Sequence, residues 1–243
     1  MSKPVQQVKV PEKSKASAIQ TLLGLPSILF SVLFISLLTS IVIELVGMTF
    51  IWSDQGVNHS KEMLELEMSY LADNGQETLY GLSPLHVGDK VSQQVNELYE
   101  GIGLIQLLEK LESPLNGQSS LMDNFKVLYW SIRDYVIASL TITKLFFIKL
   151  VVVLFSLPVF LLSGVGALVD GLVQRDLRKF GGGNESAFIY HKIKPVIFPC
   201  VSLAIAVYLG LPVSLHPNFV FVPAASFSAL AIYLTATTFK KHL

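Results

Sequence analysis

The stretch LVVVLFSLPVFLLSGVGALV, residues 150–169, decides the fold because it contains no charged residue. A helix rises about 1.5 Å per residue and the bilayer core is about 30 Å thick, so about 20 apolar residues suffice to cross it. Lys149 and Asp170 bracket the apolar run. The sequence therefore predicts a membrane-spanning helix here, which we assign to residues 145–169.

Three further segments have the same character. One covers residues 25–52 and holds a single charged residue, Glu44. The other two, residues 196–215 and 219–239, are separated by three residues and predict a tight helical hairpin. Only 15% of the chain is charged, against about 25% in soluble domains. The first run exceeds the roughly 7–15 apolar residues of a signal peptide, so we expect an uncleaved anchor.

Lysine and arginine placement predicts the orientation. Basic residues concentrate in the tail at residues 1–24, the loop at residues 170–195 and the tail at residues 240–243. Four spans place these three segments on one side, and the positive-inside rule assigns that side to the cytoplasm. Residues 53–144 lie opposite, with thirteen of the eighteen acidic residues against six basic ones. In a Gram-negative cell this segment would be periplasmic, with both termini cytoplasmic.

The segment at residues 53–144 has helical periodicity. We expect one helix at residues 61–71, with Ser60 as its N-cap, and another at residues 87–111. A third is expected to start after Ser119 or Ser120 and to continue into the second span. The predicted fold is all-α: four transmembrane helices with a helical extracytoplasmic cap between helices 1 and 2.

Few polar residues are candidates for a chemical role. Glu44 within the first span has two possible roles. It either has a structural role, hydrogen-bonded between helices or near headgroups, or it takes part in an ion or proton relay. Lys149 is expected to extend to the outer interface. We expect His59 and His86 to be isolated and the carboxylates of residues 53–144 to lie on solvated helix faces. The sequence thus predicts no catalytic, cofactor-binding or metal-binding residues, and its charge balance gives no sign of direct nucleic-acid binding.

Small residues recur four apart in two spans. This spacing aligns them on one helix stripe, where backbones can approach closely. It predicts either packing within the chain or oligomerisation. The two stripes are Ser163, Ala167 and Gly171 in the second span, and Ser202, Ala206 and Gly210 in the third.

The charged loop carries a longer motif. It reads DGLVQRDLR at residues 170–178, FGGG at 180–183, ES at 185–186 and YH at 190–191. This run resembles the motif of the integrating conjugative element membrane proteins, which are inner-membrane proteins of mobile elements in Gram-negative bacteria. The four-span layout also fits that family. The residues themselves leave two alternatives open, whatever the family. Arg175 or Arg178 either pairs with Glu185 across the turn at the glycines of residues 181–183, or presents charge to a cytoplasmic partner.

The resemblance implies a non-enzymatic accessory role in conjugative DNA transfer. It places the chain in the bacterial inner membrane, alongside a type IV secretion machine and its coupling ATPase, as one of the proteins of integrative and conjugative elements. It assigns no catalytic residue and no cofactor. The candidate interaction residues are Asp170, Arg175, Asp176, Arg178, Glu185 and His191.

Two alternative functions remain open from the sequence. A small transporter or ion-translocating subunit would use Glu44. A membrane-embedded enzyme would place its site on the cytoplasmic face, in the charged loop. Besides transfer components, the expected partners are membrane lipid and further copies of the chain through the small-residue stripes.

Overall fold

The computed structural model describes residues 18–73, 81–113, 121–181 and 187–239. The basic residues of the N-terminal tail before residue 18 and those of residues 240–243 lie outside these ranges. Every regular element within the described ranges is a helix, which confirms the all-α prediction. Four helices are long and apolar enough to cross a membrane, as predicted: Phe30–Phe50, Asn124–Phe180, Tyr190–Gly210 and Pro217–Thr238.

The chain divides into two compact units, Met1–Ile35 and Ser36–Leu243. The described part of the first unit is helical from residue 18 onward. The helices in chain order are α1 Ala18–Phe50, α2 Val57–Asp73, α3 Pro84–Gly101, α4 Leu104–Glu112, α5 Leu121–Phe180, α6 Ala187–Ile193, α7 Ile197–Gly210 and α8 Pro217–Thr238, with a 3₁₀ turn at Lys194–Val196 between α6 and α7.

Helix α5 dominates the second unit. Its 60 residues run without a break through the second apolar stretch, as expected from the sequence, and on into the charged motif. At about 1.5 Å per residue the helix is about 90 Å long, roughly three times the thickness of the hydrocarbon core. A large part of α5 must therefore project beyond any bilayer that it crosses.

Helix α8 packs along α5, and a glycine sets how closely. A Cβ atom added at Gly171 would lie 2.6 Å from the Cβ of Ala236 and 2.8 Å from the carbonyl oxygen of Tyr233. Such distances are shorter than real Cβ atoms tolerate, so a residue without a side chain is needed. At Gly171, the small-residue stripe of the second span thus serves packing within the chain.

The helices between the first two spans differ from the prediction in two details. Helix α2 begins at Val57, so Ser60 lies inside it and its hydroxyl donates to the Val57 carbonyl at 2.9 Å. The expected N-cap was therefore wrong. The single helix expected at residues 87–111 is also wrong, because the chain breaks between α3 and α4 at Gly103, whose φ is +74°. Glycine adopts this left-handed conformation without a steric penalty.

A small apolar core joins α2 to α5. Met63, Ile142 and Leu145 are buried, and Ile41 and Leu64 pack against them. Burying side chains of this size stabilises a fold by about 1.5–3 kcal/mol each. This core positions the polar residues that follow.

Candidate functional site

A carboxylate and an ammonium group are buried together between α2 and α5. Glu67 is 0% exposed and Lys149 is 2% exposed. Their Oε1 and Nζ atoms lie 3.8 Å apart. The sequence predicted a solvated carboxylate at this position, which is wrong for Glu67. Lys149 was expected to extend to the outer interface, and its side chain is buried within the protein. The reason is that α2 folds back against α5 at the start of the apolar stretch, covering Lys149.

Both groups also have other polar partners. Tyr208 of α7 donates to Glu67 Oε2 at 2.7 Å, and Ser214 donates to Oε1 at 3.1 Å. Lys149 Nζ donates to the carbonyl oxygens of Leu211 at 2.8 Å and of Val213 at 3.1 Å. We call Glu67, Lys149, Tyr208 and Ser214 the Glu67 network. It ties α2 to α5, α7 and the α7–α8 loop.

Burial and charge act in opposite directions on Glu67. Burial raises the pKa of its carboxyl above the usual value, while the Lys149 charge and the hydrogen bonds from Tyr208 and Ser214 lower it. Burial is the larger effect. The network therefore holds a carboxylate that is costly to keep ionised unless Lys149 stays beside it.

A second polar cluster joins α1 to α2. Glu44 is 0% exposed, and both of its carboxylate oxygens lie 3.1 Å from His59 Nδ1. The Trp52 ring stacks on the His59 ring with centroids 4.1 Å apart, and it covers Gly47 so closely that any side chain there would collide with it. His59 is therefore not isolated, contrary to the prediction. The Glu44 contact has the geometry of a hydrogen bond between helices.

The predicted interaction residues that the structure describes lie at the far end of α5 and on α6. Arg175 donates from Nε at 3.2 Å and from Nη2 at 3.0 Å to Asp176 Oδ1. Asp170 is exposed on α5, and His191 is exposed on α6. Arg178 is half-buried in the last turn of α5. Glu185 falls outside the described residues, so its pairing with an arginine stays a prediction.

A cleft of about 350 Å³ opens beside this charged end. Its polar lining includes Arg175 and Tyr190. The apolar lining comes from α5, α7 and α8 and includes Leu168, Leu172, Ile197 and Ile232. The side chain of Arg175 is 20% exposed, so it lies largely within the protein. The cleft thus brings two residues of the charged motif against an apolar wall.

Sequence reasoning overlooked the Glu67 network, although one signal was present. The buried residues of α2 are Ser60, Met63, Glu67 and Leu71, which recur three or four apart. Residues at this spacing share one helix face. Glu67 therefore occupies the apolar stripe and not the solvated side of α2.

No group of three or more histidine, cysteine, aspartate or glutamate side chains is placed to hold a metal ion within the described part of the chain. The chain matches a family described as IncC plasmid conjugative DNA transfer protein DtrJ-like, over residues 51–240. That range covers well over half of the chain. No curated protein and no solved structure matches.

Proposed function

The chain belongs to the DtrJ-like family of conjugative DNA transfer proteins, and from that premise we propose that it is a non-enzymatic membrane accessory of conjugative transfer. Membership implies a role in conjugative DNA transfer, which confirms the expectation that the chain is a conjugative-element protein. The four apolar helices indicate a membrane protein. The family match is the observation that carries the proposal.

The proposed location is the bacterial inner membrane, with both termini cytoplasmic and α2 to α4 forming a cap outside. One contact supports the part of this topology that places α2 and the α7–α8 loop on one side. Ser214 in the α7–α8 loop donates to Glu67 in α2. With four spans, that loop and residues 53–144 fall on the same side of the membrane, as this contact requires.

The proposed partners are the membrane domain of the coupling ATPase or other components of the type IV secretion machine. Two surfaces are suited to contact them. The first is the charged end formed by Asp170, Arg175, Asp176, Arg178 and His191; Glu185, outside the described residues, is a further candidate from the sequence. The second is the small-residue stripe of α7, in which Ala206 is exposed and Ser202 is half-buried. That stripe also suits contact with a second copy of the chain.

Photo-crosslinking in donor cells tests the partner assignment. A photoreactive residue replaces Arg178 or His191, and Phe227, an exposed residue of α8, serves as the control. We expect crosslinks to a transfer component from the charged end and few from the control position. Equal crosslinking at all three positions, or normal transfer from a strain lacking this protein, would contradict the proposal.

A further inference from the structure

The cleft at the charged end of α5 combines a cation with an apolar wall, and this pairing suits an amphiphilic anion. Arg175 supplies the cation, and Leu168 and Leu172 line the cleft from the same helix. Small-molecule sites are typically about 300–1,000 Å³, and this cleft has about 350 Å³.

The cleft lies where α5 leaves the apolar stretch, so Arg175 falls at the outer edge of the headgroup region. Arg175 lies six residues beyond the end of the apolar stretch at Val169, which is about 9 Å along the helix. The polar region of a bilayer adds about 5–8 Å on each side of the hydrocarbon core. Leu168 lies about 10 Å from Arg175 along the axis of α5, on the side of the membrane interior.

The only described contact of the Arg175 guanidinium that competes with a ligand is its bond to Asp176. That carboxylate is 56% exposed, and ion pairs at exposed positions are weak. The bond uses Nε and Nη2, so the Nη1 end takes no part in it. A second cation lies near the cleft: Lys194 Nζ is 5.6 Å from the centre of the ring of the lining residue Tyr190.

We propose that this cleft binds an acidic phospholipid, with the phosphate at Arg175 and an acyl chain along Leu168, Leu172 and Ile232. Basic pockets between transmembrane helices bind anionic headgroups because charge attraction and burial of the chain act together. This site goes beyond the proposed accessory function and does not depend on the identity of a protein partner. The bound lipid would fill the gap between α5 and the helices α6 to α8.

Native mass spectrometry of the full chain in detergent tests the site. Phosphatidylglycerol and phosphatidylcholine with the same acyl chains are added separately, and the fraction of lipid-bound protein is measured against lipid concentration. We expect phosphatidylglycerol to bind about tenfold more tightly. Equal binding of the two lipids overturns the proposal whatever the variants do. Displacement of the lipid by millimolar inorganic phosphate also overturns it, since the apolar wall would then contribute nothing.

Three variants locate the site. Arg175→Gln should weaken phosphatidylglycerol binding about tenfold. Lys179→Gln removes the same charge from the same helix end but lies outside the cleft lining, so binding should change less than twofold. Leu168→Trp fills the apolar end and should weaken both lipids while leaving the charge intact. Equal losses from Arg175→Gln and Lys179→Gln, or tight binding in Leu168→Trp, would place the lipid elsewhere.

Discussion

The hydroxyl of Tyr208 donates to the carboxylate of Glu67 at 2.7 Å, across 141 residues of sequence. This bond is part of the Glu67 network, whose other members are Lys149 and Ser214. A buried charge without its counter-charge is costly. The contribution of Glu67 and Lys149 to stability is therefore best measured with the two residues changed together as well as singly.

Replacing Glu67 by Met should destabilise the protein by about 3–5 kcal/mol, because Lys149 would remain buried without its counter-charge. Replacing Lys149 by Met should do the same to Glu67. The double variant Glu67→Met/Lys149→Met should be less destabilised than the sum of the two. Thermal unfolding in detergent, analysed as a double-mutant cycle, measures this coupling. Additive effects would mean that the two charges do not interact.

Glu44→Gln separates a structural role from ion translocation. The amide keeps a group able to hydrogen-bond His59, so we expect normal protein level and transfer within about twofold of the wild type. Glu44→Leu leaves His59 without this partner and should lower the protein level. Conjugation frequency and immunoblotting of membranes are the measurements. Loss of transfer in Glu44→Gln at a normal protein level would favour the ion-translocating alternative.

Gly171→Val should push α8 away from α5, because even its Cβ would collide with Ala236 and the Tyr233 backbone. Overpacking of this kind costs about 1–3 kcal/mol. Gly166→Val is the matched control, since a Cβ there meets no atom within 4 Å. Thermal unfolding of the two variants gives the comparison. Equal destabilisation would indicate a propensity effect of valine in the helix and not a packing effect.

Reversing the charge at Arg178 should lower transfer about tenfold without lowering the protein level, if the charged end docks a transfer component. Lys90→Glu on α3 reverses an exposed charge in the segment between the first two spans and should leave transfer nearly unchanged. Conjugation frequency is normalised to the protein level in the membrane. A Lys90→Glu defect as large as that of Arg178→Glu would move the docking surface away from the charged end.

The sequence predicted the elements that depend on local composition. Apolar runs of about 20 residues and helical periodicity are sufficient to identify spans and helices, and the continuous α5 followed from the same reasoning. The Glu67 network depends instead on which distant segments meet. The contact of Glu67 with Tyr208 and Ser214 requires α7 and the α7–α8 loop to lie beside α2. No local sequence pattern predicts that long-range packing. The break at Gly103 was missed because isolated glycines are often tolerated in a helical pattern, as Gly88 and Gly101 are within α3.

The motif residues show the same contrast between local and long-range features. The first part of the motif lies in α5, which continues to Phe180. The pairing of Arg175 with its neighbour Asp176, and the cleft between α5 and Tyr190, depend on side-chain placement and on helix packing. The part of the motif at Glu185 remains a sequence prediction.

The length of α5 has a mechanical consequence. A rod of about 90 Å that pivots near its middle moves each tip by about 4 Å when it tilts by about 5°. Pro158 is the position where such a rod bends most easily, because proline removes a backbone hydrogen bond from the helix interior. A partner that pulls on one end of α5 would thus shift the other end sideways, unless the helix bends at Pro158 instead.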